Sequence, residues 1–130
     1  MRQKKILIVD DDIIIRNMLK TALANAGYTV ITAASGIEAV KSSYEHLPFV
    51  IILDIMLPDI DGSEVANILK NDMKTKNIPI IFLSSLISEK EEKIGDKDEI
   101  VSFFSKPYIR DRLLNEVRKY YYRGELAKSI

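Results

Sequence analysis

Phe49-Val50-Ile51-Ile52-Leu53-Asp54 decides the fold. Five apolar residues in succession, Val50, Ile51 and Ile52 among them branched at Cβ, predict a strand covered on both faces. A strand with one wet face would alternate apolar and polar side chains. The aspartate that closes the run is followed by another apolar stretch, Ile55-Met56-Leu57. A carboxylate among apolar neighbours is costly unless it is paired or liganded. Ile6-Leu7-Ile8-Val9 repeats the pattern and runs directly into Asp10-Asp11-Asp12.

Between and beyond these runs the period changes. Ile15, Met18, Leu19, Ala22, Leu23 and Ala26 recur at helical spacing, and Gly27 is expected to stop that helix. Tyr28 to Ala33 reads as a second strand. Ser35 with Glu38 three residues later is a capping-box pattern, opening a helix through Ile37, Val40 and Tyr44 that Pro48 breaks. Pro58 to Gly62 is a loop, and Val65, Ile68 and Leu69 mark a third helix. Ile78 to Leu83 is a fourth strand, with Pro79 near its start, and Ile100 to Phe104 a fifth. Ser88 to Glu99 holds one branched apolar residue, Ile94, and predicts a short or mobile helix. Leu113, Leu114, Val117, Tyr120 and Tyr121 carry a last helix, which Gly124 is expected to end. Strands alternating with helices imply an α/β fold, a doubly wound parallel sheet with helices on both faces.

The 130 residues fit a single domain, 1–130, with its core over about 5–122 and a short tail, 124–130, too short for an output domain. An apolar fraction of 47% supports a packed core. Lys plus Arg equals Asp plus Glu at 19 each, which argues against bulk binding of nucleic acid or of an anionic membrane. No cysteine is present, so disulfide and thiolate chemistry are excluded. The basic start, Met1-Arg2-Gln3-Lys4-Lys5, precedes an apolar run of only four residues, too short for a signal-peptide core. A soluble, cytoplasmic protein is expected.

The polar residues fall at strand ends. Asp10, Asp11 and Asp12 follow the first strand, Asp54 the third, Ser84 and Ser85 the fourth, and Lys106 lies just past the fifth. In an open parallel sheet, ligands bind outside the carboxyl ends of the strands. Clustered carboxylates need a cation, and hard oxygen ligands suit Mg²⁺. A carboxylate can attack phosphorus and form an acyl phosphate, with an ammonium and a hydroxyl to offset charge on the equatorial oxygens. Each residue alone has a plainer reading. The aspartates could cap a helix, Ser84 could satisfy a backbone group, and Lys106-Pro107 could be a turn. Their convergence on one sheet end is the signal.

With these residues in place, the chain resembles the receiver domains of bacterial response regulators, the phosphoacceptors of two-component signalling. The resemblance spans Lys5 to about Tyr122. It rests on Ile6 through Asp12, on Asp54-Ile55-Met56-Leu57-Pro58-Asp59-Ile60-Asp61-Gly62, and on Phe104-Ser105-Lys106-Pro107. It implies a flavodoxin-like five-stranded sheet in the order 2-1-3-4-5. It also implies Asp54 as phosphoryl acceptor and Mg²⁺ held by Asp10, Asp11, Asp54 and the backbone carbonyl of Met56. Ser84 and Lys106 would contact the phosphoryl group, Pro107 would hold a cis bond, and Phe103 would be the aromatic that reorients on activation. Met56 and Leu86 match the variable positions that tune dephosphorylation. The implied partners are a histidine kinase or a histidine phosphotransfer protein, with output by protein–protein contact. This sequence has Ser84 where threonine is commoner, Ser85 where alanine or glycine is usual, and Glu99-Ile100 where Gly-Ala is frequent. Two rivals remain: a haloacid-dehalogenase-like phosphatase using Asp10 as nucleophile and Asp12 as general acid, and a receiver-like binding module that is not phosphorylated. The first leaves Asp54 unexplained. No glycine-rich phosphate loop supports nucleotide binding.

Overall fold

The computed structural model describes residues 4–85, 101–106 and 110–129. Its elements in chain order are β1 (Lys5–Val9), α1 (Ile13–Asn25), β2 (Thr29–Ala33), α2 (Gly36–His46), β3 (Val50–Leu53), α3 (Gly62–Lys70), β4 (Ile80–Ser84), β5 (Val101–Ser105) and α4 (Arg110–Ser129). The five strands form one parallel sheet in the order β2-β1-β3-β4-β5. The expected helix within Ser88–Glu99, together with Leu86, Ile100 and Pro107, lies outside the described residues.

The continuous apolar runs sort by parity onto the two faces, as the two-residue period of a strand requires. Ile6, Ile8, Val50, Ile52, Ile81 and Leu83 pack with Leu19 and Leu23 of α1 and with Leu113, Val117 and Tyr120 of α4. Leu7, Val9, Ile51, Leu53, Ile80 and Phe82 face the other way, against Ala39 of α2 and Val65 and Leu69 of α3. Covering both faces is what makes unbroken branched runs favourable. On the α4 face a buried polar link ties sheet to helix: the Ser102 hydroxyl donates to Glu116 at 2.9 Å and shares a hydrogen bond with Tyr120 at 2.5 Å.

The helix boundaries follow local chemistry. Gly27 sits at φ +98°, a conformation that costs a glycine nothing, and ends α1 as expected. The capping box opens α2: Ser35 accepts from the Glu38 amide at 3.2 Å, and Glu38 accepts from the Ala34 amide at 3.0 Å. One expectation needs correction. Gly124 does not end the last helix, which continues to Ser129. One glycine costs a helix only about 1 kcal/mol, and helix formers flank this one on both sides. Met18 and Ile37 keep helical spacing but do not join the core; they are 55% and 67% exposed. The stripe that α1 buries is the narrower Leu19–Leu23 row, with Ile15 at its margin.

The 54–62 segment closes back on its own start. The Gly62 amide donates to the Ile55 carbonyl at 2.7 Å. A Cβ on Gly62 would lie 2.2 Å from the Asp54 carbonyl oxygen and 2.9 Å from the Ile55 Cα, both backbone atoms. At an ordinary first-turn position, Gly→Ala stabilises a helix. Here Gly62→Ala is expected to destabilise the fold by about 1–3 kcal/mol, because the loop backbone must shift. Urea denaturation checks this, and a gain in stability would contradict the packing described.

Candidate functional site

The strand ladder delivers the acidic residues. The Asp54 amide donates to the Val9 carbonyl at 2.9 Å and the Asp10 amide to the Ala33 carbonyl at 3.2 Å, so pairing extends one step past the strands. Val9 is in register with Leu53, which sets Asp10 beside Asp54. On the other side, the Lys106 amide donates to the Ser84 carbonyl at 3.1 Å. The lysine thereby stands at the same end of the sheet as the carboxylates.

Asp10 and Asp54 are buried, 2% and 6% exposed, while Asp11 faces solvent. One carboxylate oxygen from each of Asp10, Asp11 and Asp54 lies within 4.8 Å of the other two. The Lys106 Nζ donates to Asp10 Oδ2 at 2.8 Å and to Asp54 Oδ2 at 3.2 Å. The remaining oxygens are held by backbone: Asp10 Oδ1 accepts from the Asp12 amide at 2.9 Å, and Asp54 Oδ1 from the Met56 amide at 3.2 Å.

Three carboxylates cluster about one ammonium that bonds two of them, with the Arg16 guanidinium held on the Asp10 backbone, so negative charge exceeds positive in this corner. The electrostatics register that excess. Burial, then the Asp10 charge, push the Asp54 carboxyl above the usual carboxylate range, and Lys106 and the Met56 amide only partly offset them. For Lys106, burial alone would pull the ammonium down. The hydrogen bond and charge of Asp10, then those of Asp54, hold it above the ordinary lysine value. A divalent cation is the complement of this donor set. Hard oxygens fit Mg²⁺, whose ligands lie about 2.1 Å away and thus about 4.2 Å apart across an octahedron. Asp10, Asp11 and Asp54 can each turn one oxygen toward a common point, since those oxygens lie within 4.8 Å of one another.

The structure brings together Asp10, Asp11, Asp54 and Lys106, the core of the expected site. Ser84 ends β4 buried at the same end, in register with Ser105. Phe103 is half-buried and stacks on Phe82, with ring centroids 5.2 Å apart and planes 18° from parallel. The Met56 side chain is 57% exposed beside Asp54. Leu86 and Pro107 are not among the described residues. Asp12 stands apart from the cluster: it is the N-cap of α1, accepting from the Ile14 amide at 2.9 Å. The plainer reading of that aspartate is therefore the right one, and a phosphatase with Asp12 as general acid finds no support. Two residues went unassigned in the sequence. Arg16 donates from Nη1 to the Asp10 carbonyl at 2.7 Å, bracing the first acidic turn. Its signal was a lone cation directly after three isoleucines at the start of α1. Asp59 accepts from the Gly36 and Ile37 amides, each at 2.8 Å. Nothing in its local sequence points to a partner more than twenty residues away.

Comparison with known proteins identifies the family of this fold. The sequence model described as "Response regulator receiver domain" matches residues 6–118. A probable transcriptional regulator, ycf27, of Guillardia theta is 36% identical over 121 residues, 90% of this chain and 46% of that protein. The polar-differentiation response regulator DivK of Brucella ovis is 29% identical, with 90% of this chain and 95% of DivK aligned. Among solved structures, the chemotaxis protein CheY4 of Vibrio cholerae superposes with a TM-score of 0.79 at 31% identity, covering 92% of this chain and 99% of CheY4. The receiver domain of Francisella response regulator 1452 gives 0.82 at 31% identity, over 94% and 99%. The chain spans about half the length of the ycf27 regulators it matches. It belongs to the response regulator receiver domain family. No helix among the described residues is long and apolar enough to cross a membrane.

The sign of the Asp54 shift makes a stability prediction. A carboxyl whose folded-state pKa is raised takes up more protons folded than unfolded, so its ionisation works against folding. That penalty is absent below the unfolded-state carboxylate pKa and complete above the raised folded value. Asp54→Asn is therefore expected to melt higher than wild type at neutral pH without divalent cations. The gap should close as pH falls below about 4, where the ordinary carboxyl is protonated. Thermal melts across pH check this, and an Asp54→Asn protein that melts lower at neutral pH would contradict it.

Proposed function

We propose that this receiver domain is a phosphorylation-controlled switch whose acceptor is Asp54, and that residues 1–130 act as a single such domain. The observation that carries the reading is the Lys106 ammonium bridging Asp10 and Asp54 beside the Asp11 carboxylate. Asp10, Asp11, Asp54 and the Met56 backbone carbonyl would hold Mg²⁺. Bound there, the ion would neutralise charge on the transferring phosphoryl oxygens. An oxygen of Asp54 attacks phosphorus as the phosphorus–nitrogen bond of a donor phosphohistidine breaks. The neutral imidazole leaves after taking a proton from solvent, and an acyl phosphate remains on Asp54.

The same residues supply the switch. Phosphorylation converts one carboxylate into a group with more charge and more acceptor oxygens. Lys106, which now divides its bonds between two carboxylates, is drawn to the new anion, and Ser84 offers its hydroxyl from the end of β4. Phe103, three residues before Lys106 on β5, leaves its stack on Phe82 as the strand end adjusts. The two surface states then differ in what they bind. The donor is a histidine kinase or histidine phosphotransfer protein, and the setting is cytoplasmic. Support for a helical donor comes from α1, which starts beside the acidic cluster and exposes Ile13, Ile14 and Met18 at 60%, 66% and 55%. Apolar side chains at that density next to a charged site fit a partner face. Met56 and Leu86 are apolar at the positions expected to meet attacking water, so the phosphorylated state is long-lived.

One loading experiment tests both parts. With acetyl phosphate and Mg²⁺, wild type is expected to gain one phosphoryl group by intact mass and Asp54→Asn none. A stable adduct on Asp54→Asn at the wild-type level would overturn the assignment. Loss confined to Asp10→Asn would favour the phosphatase reading. After donor removal, the Met56→Asn, Leu86→Glu double variant is expected to lose the group faster, by about tenfold or more on the scale of a positioned acid–base group. An equal or slower loss would mean these side chains do not gate water.

A further inference from the structure

Asp59 lies in the loop that follows the acceptor strand, between Met56 and Gly62. Its carboxylate spans two amides of another element: Oδ1 accepts from Gly36 and Oδ2 from Ile37, each at 2.8 Å. These are the first two residues of α2. A helix leaves its first amides without partners inside the helix. In α2 the third is taken by Ser35, within its own capping box, and the first two by Asp59 from across the molecule. The two backbone bonds, Ile37 first and Gly36 second, hold the Asp59 carboxyl below the usual carboxylate range. It therefore stays charged at neutral pH.

The contact has no slack. A Cβ on Gly36 would sit 2.4 Å from Ile60 Cγ1 and 3.0 Å from Val65 Cγ2, so the loop rests directly on the helix start. At its base the same loop is closed by the Gly62 amide on the Ile55 carbonyl at 2.7 Å, with Gly62 packed on the Asp54 backbone. Asp54 and Met56 thus belong to a loop pinned at two points. One pin is internal, and the other is Asp59 on α2.

We infer that Asp59 is a positioning residue: by clamping the acceptor loop to the start of α2 it fixes where the Asp54 carboxylate and the Met56 carbonyl point. This inference rests on the reading of the site as a Mg²⁺-assisted phosphoryl acceptor. It makes α2 part of the site's support although no residue of α2 belongs to the acidic cluster. Groups that orient metal ligands without touching the ion change affinity by about ten- to a hundredfold. Asp59 acts through backbone rather than by a bond to a ligand, which places its effect at the lower end.

The discriminating comparison is with Ser35→Ala, which uncaps the same helix without untying the loop. Asp59→Ala is expected to bind Mg²⁺ about tenfold more weakly by calorimetry. The amides of Ile55, Met56 and Leu57 are expected to exchange faster than in wild type with no metal present. Ser35→Ala should lower the melting temperature while leaving Mg²⁺ affinity and loop exchange near wild type. Asp59→Asn should fall between, since an amide oxygen replaces only one of the two acceptors. Unchanged loop exchange and Mg²⁺ affinity in Asp59→Ala would overturn the inference. So would equal losses in Ser35→Ala, which would reduce Asp59 to a helix cap. A wild type that binds no Mg²⁺ would overturn the metal site itself. The exchange comparison would then still decide whether Asp59 holds the loop.

Discussion

Lys106 lies between two buried carboxylates, 2.8 Å from Asp10 and 3.2 Å from Asp54, and cannot neutralise both. The Asp10 charge adds to burial in raising the Asp54 carboxyl, so the two carboxylates repel across the lysine. The parallel register imposes the arrangement. With Val9 paired to Leu53, the residue after each strand must lie beside the other, and both are aspartates. Much of the nearby structure restrains that corner. Backbone amides hold the second oxygen of each carboxylate, Arg16 secures the Asp10 carbonyl, and the loop after Asp54 is closed at Gly62. The site is thus pre-formed and carries unbalanced charge, as a cation-assisted acceptor of an anionic group requires.

The sheet was legible because its strands carry one strong constraint. Unbroken runs such as Ile6–Val9 and Val50–Leu53 are favourable only where both faces are covered, and the parity split between the two cores follows. The acidic cluster was legible for a related reason, since aspartates placed at the ends of such runs have few plain explanations. The helices were less so. Helical spacing gives a face but not its width: Met18 and Ile37 keep the spacing of their helices' apolar rows and are exposed. Gly124 misled because a glycine marks a helix end only when the chain turns there, and its own cost is small.

Long-range polar contacts away from the strand ends were not legible. Asp59 and Gly36 are joined across 23 residues by a hydrogen bond that no local pattern announces. Asp12 shows the converse. Its place in a run of three aspartates suggested shared chemistry, yet local geometry gives it to the α1 amides. Adjacent residues at a strand–helix junction point in different directions, so Asp10 is buried, Asp11 reaches the cluster from solvent, and Asp12 caps the helix. Membership of the receiver family agrees with the fold.

That division is also the most exposed point of the account, and calorimetric titration with Mg²⁺ tests it directly. Wild type should bind one ion per chain. Asp11→Asn should bind at least about tenfold more weakly, because a charged ligand is lost. Asp12→Asn should match wild type in affinity, since an asparagine still caps a helix. No Mg²⁺ binding by wild type, or a loss confined to Asp12→Asn, would contradict a cation shared by Asp10, Asp11 and Asp54.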